Sequence, residues 1–176
     1  MYAGHFAAGL AIKVAEPRAP MAAVMGLIFL PDLFWLGFSV GGIESVEPGR
    51  WFDGWSHSIA SIVVQAALVA MLWWHRNIRV AAAAACAVLS HLLLDLPIHP
   101  APLEWYPHSI AGFGNFLGGW AGSAAPFGKT NGWWVETAFV AGGVSIYLAG
   151  SRRAGVDKAT ASAAAILVAW LQVMFG

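Results

Sequence analysis

The residues of this sequence best suited to chemistry are histidines and carboxylates that lie within or at the ends of apolar segments. His91 and Asp95 lie four positions apart, so on a helix their side chains share one face, about one turn from each other. His99 follows just beyond Pro97, and the stretch therefore offers three potential metal ligands around one helix end. Imidazole nitrogens combined with carboxylate oxygens suit zinc first, and manganese or iron after it.

Three further polar residues fall on three other apolar segments. His5 opens the first segment, Asp32 follows Pro31 in the middle of the second, and His57 opens the third. An unpaired ionised Asp at the centre of a membrane helix costs roughly 2.5–3.5 kcal/mol, and a divalent cation shared with neutral imidazoles offsets that cost. The sequence therefore predicts one or two metal ions, zinc by preference, held by the following residues: His5, Asp32, His57, His91 and Asp95.

Three residues are candidates for a direct part in catalysis: Asp32, His99 and Glu136. Asp32 or Asp95 can bridge two ions, and Glu136 or His99 can act as a base or an outer ligand. A divalent ion lowers the pKa of a bound water to about 7 and so supplies a nucleophile at neutral pH. Taken alone, His91 and Asp95 can also form a hydrogen-bonded structural pair, but the convergence of the whole set favours a metal.

The composition indicates a protein that is covered by lipid. Hydrophobic residues make up 59% of the chain and charged residues 10%, whereas soluble domains carry about 25% charged residues. The net charge is zero, so no basic excess points to nucleic acid. The single cysteine, Cys86, excludes an internal disulfide. No Lys or Arg precedes the first apolar segment, which therefore does not resemble a cleaved signal.

The pattern predicts a single all-α domain over 1–176, an integral membrane bundle of about six helices whose first helix is too short to span comfortably. Proline, glycine and aromatic residues are dense over 97–132, which predicts a loop that folds back as an interfacial lid. The six apolar segments are 3–15, 21–43, 56–74, 80–96, 133–150 and 158–175.

The positive charges predict how the bundle is oriented. All but Arg50 and Lys129 fall on one side of the predicted bundle, and the positive-inside rule makes that side cytoplasmic. We therefore expect a membrane protein with its termini and its metal site on the non-cytoplasmic side. The charges on the cytoplasmic side are Lys13, Arg18, Arg76, Arg79, Arg152, Arg153 and Lys158.

Four of these elements, in this order, resemble a known family, the inner-membrane-associated metal-dependent hydrolases described as LexA-binding. The elements are an early His5, then Pro31-Asp32, then Ser56-His57-Ser58, then His91-x-x-x-Asp95. The resemblance covers roughly the first 100 residues, and it implies a metal-dependent hydrolase in a bacterial inner membrane. Two departures concern groups that the family often carries: Phe34 stands where a second acid is common, and Phe52-Asp53-Gly54 stands where His-Arg-Gly is common.

The same order of residues is more distantly similar to zinc-dependent phospholipase C and the P1-type nucleases. That similarity implies a zinc cluster on a helical scaffold and the cleavage of a phosphoester, with Glu136 as a further ligand. We therefore expect a hydrolase that acts on a lipid or lipid-linked phosphoester at the membrane surface. Two alternatives stay open at this point: a transporter of protons or metal cations, and a non-catalytic scaffold whose metal staples the helices.

Overall fold

The protein is mostly helical. A computed structural model describes residues 2–47, 50–75, 77–99, 101–117 and 130–175. Within those ranges the chain forms eight helices and two short antiparallel hairpins, β1–β2 and β3–β4. The strands are β1 (Ser45–Glu47), β2 (Arg50–Phe52), β3 (Leu103–Glu104) and β4 (Gly112–Phe113). The helices are α1 (Tyr2–Ala15), α2 (Met21–Ile28), α3 (Leu30–Val40), α4 (Gly54–His57), α5 (Ile59–Trp74), α6 (Ile78–Asp95), α7 (Asn131–Gly150) and α8 (Lys158–Phe175).

Polar residues define where the long helices begin. Ser58 accepts a hydrogen bond from the Ser61 amide at the start of α5, and Asn77 accepts one from the Arg79 amide at the start of α6. Thr130 caps α7 in the same way. Such side chains satisfy amide groups that the first turn of a helix leaves unpaired.

The second predicted segment, 21–43, is two helices rather than one. The chain breaks at Phe29, and α2 and α3 are bent by 51° relative to each other. Pro31 lies in the first turn of α3, where its missing amide proton costs little. Asp32 therefore lies in the first turn of a helix rather than in the middle of one.

The third predicted segment, 56–74, is also divided, because Ser58 is extended and separates α4 from α5. These two breaks raise the count from the expected six helices to eight within the described ranges. The predicted loop 97–132 contains the β3–β4 hairpin. Residue 100 and residues 118–129 of the predicted lid, with Trp120 and Phe127, lie outside the described part of the chain.

α1 is the central helix of the bundle, and it packs against α2, α6, α7 and α8. It runs parallel to α7, since Gly4 lies beside Glu136 and Ala7 beside Gly143. It runs antiparallel to α6, because His5 near its start contacts His91 near the end of α6. The start of α1, the start of α7 and the end of α6 therefore meet at one end of the bundle.

The outer faces of the helices are apolar. Val40, Leu68, Met71, Leu72 and Ile166 are among the exposed hydrophobic side chains. Among the described residues, one helix, α6, is long and apolar enough to cross a bilayer, and the bent pair α2–α3 is a second candidate if it counts as one span. About half of α6 is buried within the protein, and the core helix of a soluble protein meets the same criterion. The expected bilayer location therefore stays a prediction.

Candidate metal centre

The structure brings the five predicted metal ligands together at one end of the bundle. His5 comes from the first turns of α1, Asp32 from the first turn of α3 and His57 from the end of α4. His91 and Asp95 come from the last two turns of α6, on the shared face that their spacing predicts. Asp32 lies at this end because the break between α2 and α3 starts a new helix there, and Asp32 is in its first turn.

The Nε2 atom of His91 is the point on which the other groups converge. It lies 3.1 Å from Asp95 Oδ2, 3.3 Å from His57 Nε2 and 3.8 Å from Asp32 Oδ1. His5 contributes from the other side, with its Nε2 3.8 Å from Asp95 Oδ1 and its ring centroid 4.3 Å from that of His91. Two groups of three side chains can each hold a metal ion: His5, His91 and Asp95, and Asp32, His57 and His91.

The hydrogen bond on the other side of the His91 ring fixes which nitrogen carries the proton. Nδ1 lies 2.9 Å from the carbonyl oxygen of Ile28, the last residue of α2. A carbonyl accepts and cannot donate, so Nδ1 carries the proton and donates it. In the neutral ring Nε2 then presents a lone pair to Asp95, His57 and Asp32.

These distances match the shell of a small divalent cation. Zinc at about 2.0–2.1 Å from each of four tetrahedral ligands sets those ligands roughly 3.3 Å apart. The His57–His91 separation of 3.3 Å and the His57–Asp32 separation of 3.3 Å agree with this spacing. A proton on His91 Nε2 can satisfy one of its acceptor neighbours, whereas a divalent ion satisfies all of them at once.

The centre is closed on one side and open on the other. His5 and His91 are each 1% exposed, and Asp95 is also buried. The side chain of Asp32 is 43% exposed, so it forms the edge of the site that solvent or a substrate can reach. The closed side provides the low-dielectric surroundings in which charge pairing is strong.

His99 lies beside the five-residue cluster and is held by other partners. Its ring centroid is 5.9 Å from that of His57. Its Nδ1 lies 2.8 Å from the carbonyl oxygen of Ala101, and its Nε2 lies 3.2 Å from Asp53 Oδ2. Burial alone lowers the pKa of His99, but its hydrogen bond to Asp53 and that carboxylate's charge outweigh burial and raise the pKa above its ordinary value. Both ring nitrogens thus face acceptors, which favours the protonated ring.

Glu136 lies in the second turn of α7, because the helix begins two residues before the predicted start at 133, and its carboxylate contacts α1. Its Oε1 accepts a hydrogen bond of 3.2 Å from the amide of Gly4. A carboxylate at this position satisfies an unpaired amide of the first turn of α1 and complements the positive end of the helix dipole. Glu136 is absent from both ligand groups found among the described residues.

Two functional candidates were missed by sequence reasoning. Glu44, 3% exposed, accepts hydrogen bonds from both the amide and the hydroxyl of Ser56, and that hydroxyl lies 2.7 Å from His57 Nδ1. Ser56 was visible in the sequence only as part of the Ser-His-Ser motif. Nothing in the spacing of Glu44 indicates the contact, because the two residues are twelve positions apart and the β1–β2 hairpin lies between them.

An apolar groove lies next to the metal centre. It has a volume of about 390 Å³ and lies between α3 and α5, with Trp55 and Pro107 at its border. Gln65, in its lining, donates from its side-chain amide to the carbonyl oxygen of Ser56, the residue before His57, at 2.9 Å. The groove is lined by Phe34, Phe38, Trp55, Ala60, Ser61, Val64, Gln65 and Pro107.

Comparisons with protein-family models, with curated proteins and with solved structures give no match. The resemblance to the inner-membrane-associated hydrolases therefore stays a prediction that rests on the four motifs. The fold and the chemistry of the site supply the arguments that follow.

Proposed function

We propose that this protein is a membrane-bound hydrolase that depends on a divalent metal, zinc by preference, and cleaves a phosphoester of a lipid or a lipid-linked substrate. One observation carries the proposal: the lone pair on His91 Nε2 faces a second imidazole nitrogen and two carboxylate oxygens within 3.8 Å. The His91 nitrogen and the two carboxylate oxygens are acceptors that repel one another at these distances, and a cation between them relieves that repulsion.

The side chains divide naturally into roles. One or two ions would be held by the five predicted ligands, His5, Asp32, His57, His91 and Asp95. Bound metal supplies Lewis acidity and a water that ionises near neutral pH. Asp32, on the open edge, is the ligand nearest to an entering substrate, and it can orient a water or accept its proton.

His99 is better suited to donate a proton than to act as the base or outer ligand that the sequence suggests. With protons on both nitrogens it is a donor, so its charge can stabilise a phosphoryl oxygen or its proton can pass to a leaving group. Glu136 supports the site from a distance by fixing the start of α1, the helix that carries His5.

The substrate class is inferred from the surroundings of the centre. The apolar groove beside Ser56 can take a hydrocarbon chain, while the centre takes the charged headgroup. The exposed apolar faces of α3 and α5 continue outward from this groove, which suits a substrate that enters from a bilayer. The low charge content of the whole chain supports the same location.

The first test is the metal content of the purified full chain. Wild-type protein is expected to retain zinc, and His91→Ala/Asp95→Ala is expected to lose it, because the variant removes the central nitrogen and the buried carboxylate. His75→Ala is the matched control, since His75 is exposed at the end of α5. Elemental analysis measures the result, and unchanged metal in the double variant would remove the proposal.

The second arm of this test is hydrolysis with zinc-loaded protein. A long-chain phospholipid in mixed micelles is expected to be cleaved faster than a short water-soluble phosphodiester, because only the former fills the groove. Equal rates of hydrolysis for the two substrates would contradict the lipid assignment but would still support a hydrolase. Tightly bound metal with no hydrolysis of either would contradict the hydrolase and favour a metal-stapled scaffold.

A further inference from the structure

A chain of three hydrogen-bonded groups leads from buried Glu44 to the metal centre. Glu44 lies in the turn after α3, and its Oε1 accepts from the Ser56 amide at 2.7 Å. Its Oε2 accepts from the Ser56 hydroxyl at 2.7 Å, and the same hydroxyl oxygen lies 2.7 Å from His57 Nδ1. Neither Glu44 nor Ser56 belongs to the two groups that can hold an ion.

The number of available protons gives this chain a direction. A serine hydroxyl carries one proton, and an ionised carboxylate carries none. If the hydroxyl donated to His57, its oxygen and Glu44 Oε2 would be two acceptors only 2.7 Å apart. The hydroxyl therefore donates to Glu44, which is closer than its other acceptor, the Asp53 carbonyl at 3.1 Å. The oxygen of Ser56 then accepts the proton of His57 Nδ1.

The direction of the chain determines what His57 presents on its other side. With its proton on Nδ1, neutral His57 turns the lone pair of Nε2 toward Asp32 Oδ1 and His91 Nε2, both 3.3 Å away. His91 is fixed in the same tautomer by the carbonyl oxygen of Ile28. The Ile28 carbonyl thus orients His91, and the Glu44 carboxylate orients His57 through the Ser56 hydroxyl. As a result, the Nε2 lone pairs of His57 and His91 face each other.

We infer that Glu44, acting through Ser56, is a positioning residue that holds His57 in the Nδ1-protonated tautomer with Nε2 directed at the metal. The inference rests on the proposed function, since it assigns the support of a ligand in that same centre. Metal-bound histidines generally donate their other ring proton to a carboxylate or carbonyl, which sets the tautomer and increases ligand basicity. Here the Ser56 hydroxyl is the link between ring and carboxylate.

The variant Glu44→Gln reverses the direction of this chain. The Gln carbonyl must accept from the Ser56 amide, so its NH₂ group donates to the Ser56 oxygen. The hydroxyl proton then turns to His57 Nδ1 at 2.7 Å, which is closer than the Asp53 carbonyl at 3.1 Å. The ring proton then moves to Nε2, the atom needed by the metal. We expect zinc affinity to fall about 10–100-fold, and we expect the nitrogen NMR shifts of His57 in zinc-free protein to show Nε2 protonated.

Two serine variants and one control separate positioning from general destabilisation. Ser56→Ala removes the link and should weaken zinc binding similarly, whereas Ser56→Thr keeps the hydroxyl and should restore it. Glu16→Gln is the matched control, because Glu16 is also a buried carboxylate that accepts a backbone amide, from Arg18, beyond the far end of α1. Its zinc affinity should stay within about threefold of wild type.

The measurements are zinc affinity of the full chain in detergent by chelator competition, and nitrogen NMR of histidine-labelled protein without zinc. Glu44→Gln with wild-type affinity and an unchanged His57 tautomer would overturn the inference. If wild-type protein binds no zinc, the proposed function fails, yet the tautomer in the zinc-free protein still decides this inference. If Glu44→Gln does not fold, loss of affinity in Ser56→Ala without recovery in Ser56→Thr overturns it.

Discussion

At the scale of single residues, the centre is defined by which oxygen or nitrogen each polar side chain faces. The carboxylates of Asp32 and Glu136 lie near the same end of the bundle, yet they face different partners. Asp32 Oδ1 faces two imidazole nitrogens, whereas Glu136 Oε1 faces a backbone amide of α1. We therefore expect substitution of these two carboxylates to have different effects on metal binding.

Replacing each carboxylate by its amide tests this separation. Asp32→Asn removes a negative charge from the ion's surroundings, so zinc affinity should fall by about tenfold or more. Glu136→Gln keeps an oxygen that can accept from Gly4, so zinc affinity should stay within about threefold of wild type. Chelator competition measures both. A large loss of zinc affinity in Glu136→Gln, with little change in Asp32→Asn, would contradict this assignment. It would make Glu136 the metal ligand and Asp32 the structural carboxylate.

The sequence predicts the five converging residues because each has a physical signature that is local. A carboxylate beside a proline and a His-x-x-x-Asp spacing within apolar segments stand out without knowledge of the fold. The partners of His99 and Glu136 are not predictable in this way, since both depend on contacts across the bundle. The same holds for Glu44, whose hydrogen bonds to Ser56 require the intervening β1–β2 hairpin.

At the scale of the helices, the close packing of α1 on α7 determines where His5 lies. A Cβ atom built on Gly143 would lie 2.7 Å from the carbonyl oxygen of Ala7, and one built on Gly150 would meet Val14. Small residues at such positions let two backbones approach each other, which is common between helices in membranes. Ala7 lies two residues after His5, so a shift of α1 moves His5 relative to Asp95.

Gly143→Ala should therefore reduce both stability and metal binding. The added methyl group must push α1 and α7 apart, and overpacking of this kind costs typically about 1–3 kcal/mol. Gly142→Ala is the matched control on the same helix, because no heavy atom lies within 4 Å of a Cβ built there. Thermal unfolding in detergent and zinc affinity measure the outcome. Equal effects of the two variants would show that the α1–α7 contact does not position His5.

The division of the second apolar segment also belongs to this scale, and the sequence predicts it only in part. Pro31 indicates local unwinding near Asp32, but the break lies at Phe29, two residues earlier. The reason is that a proline is tolerated in the first turn of a helix, so the new helix begins just before it. The break also frees the Ile28 carbonyl from the helix, and that carbonyl accepts from His91.

At the scale of the whole molecule, the metal centre and the basic segments lie at opposite ends of the bundle. α1 starts at the centre with His5 and ends near Lys13, and α6 runs the other way, from Arg79 to Asp95. The segment after α7, with Arg152 and Arg153, lies at the basic end because α7 is parallel to α1. The orientation that the positive-inside rule predicts from this polarity stays a prediction.

Labelling single cysteines in bacterial spheroplasts tests the orientation and the membrane location together. In a Cys86→Ala background, Ile110→Cys places a thiol on the fully exposed turn between β3 and β4, at the end that carries the centre. Arg153→Cys places one on the exposed basic segment. A membrane-impermeant maleimide should label position 110 in intact spheroplasts and position 153 only after lysis. Labelling of 153 alone would reverse the orientation. If neither position is labelled before lysis and both are labelled after it, the chain lies inside the cell. That result would contradict the proposal that the substrate enters from the bilayer.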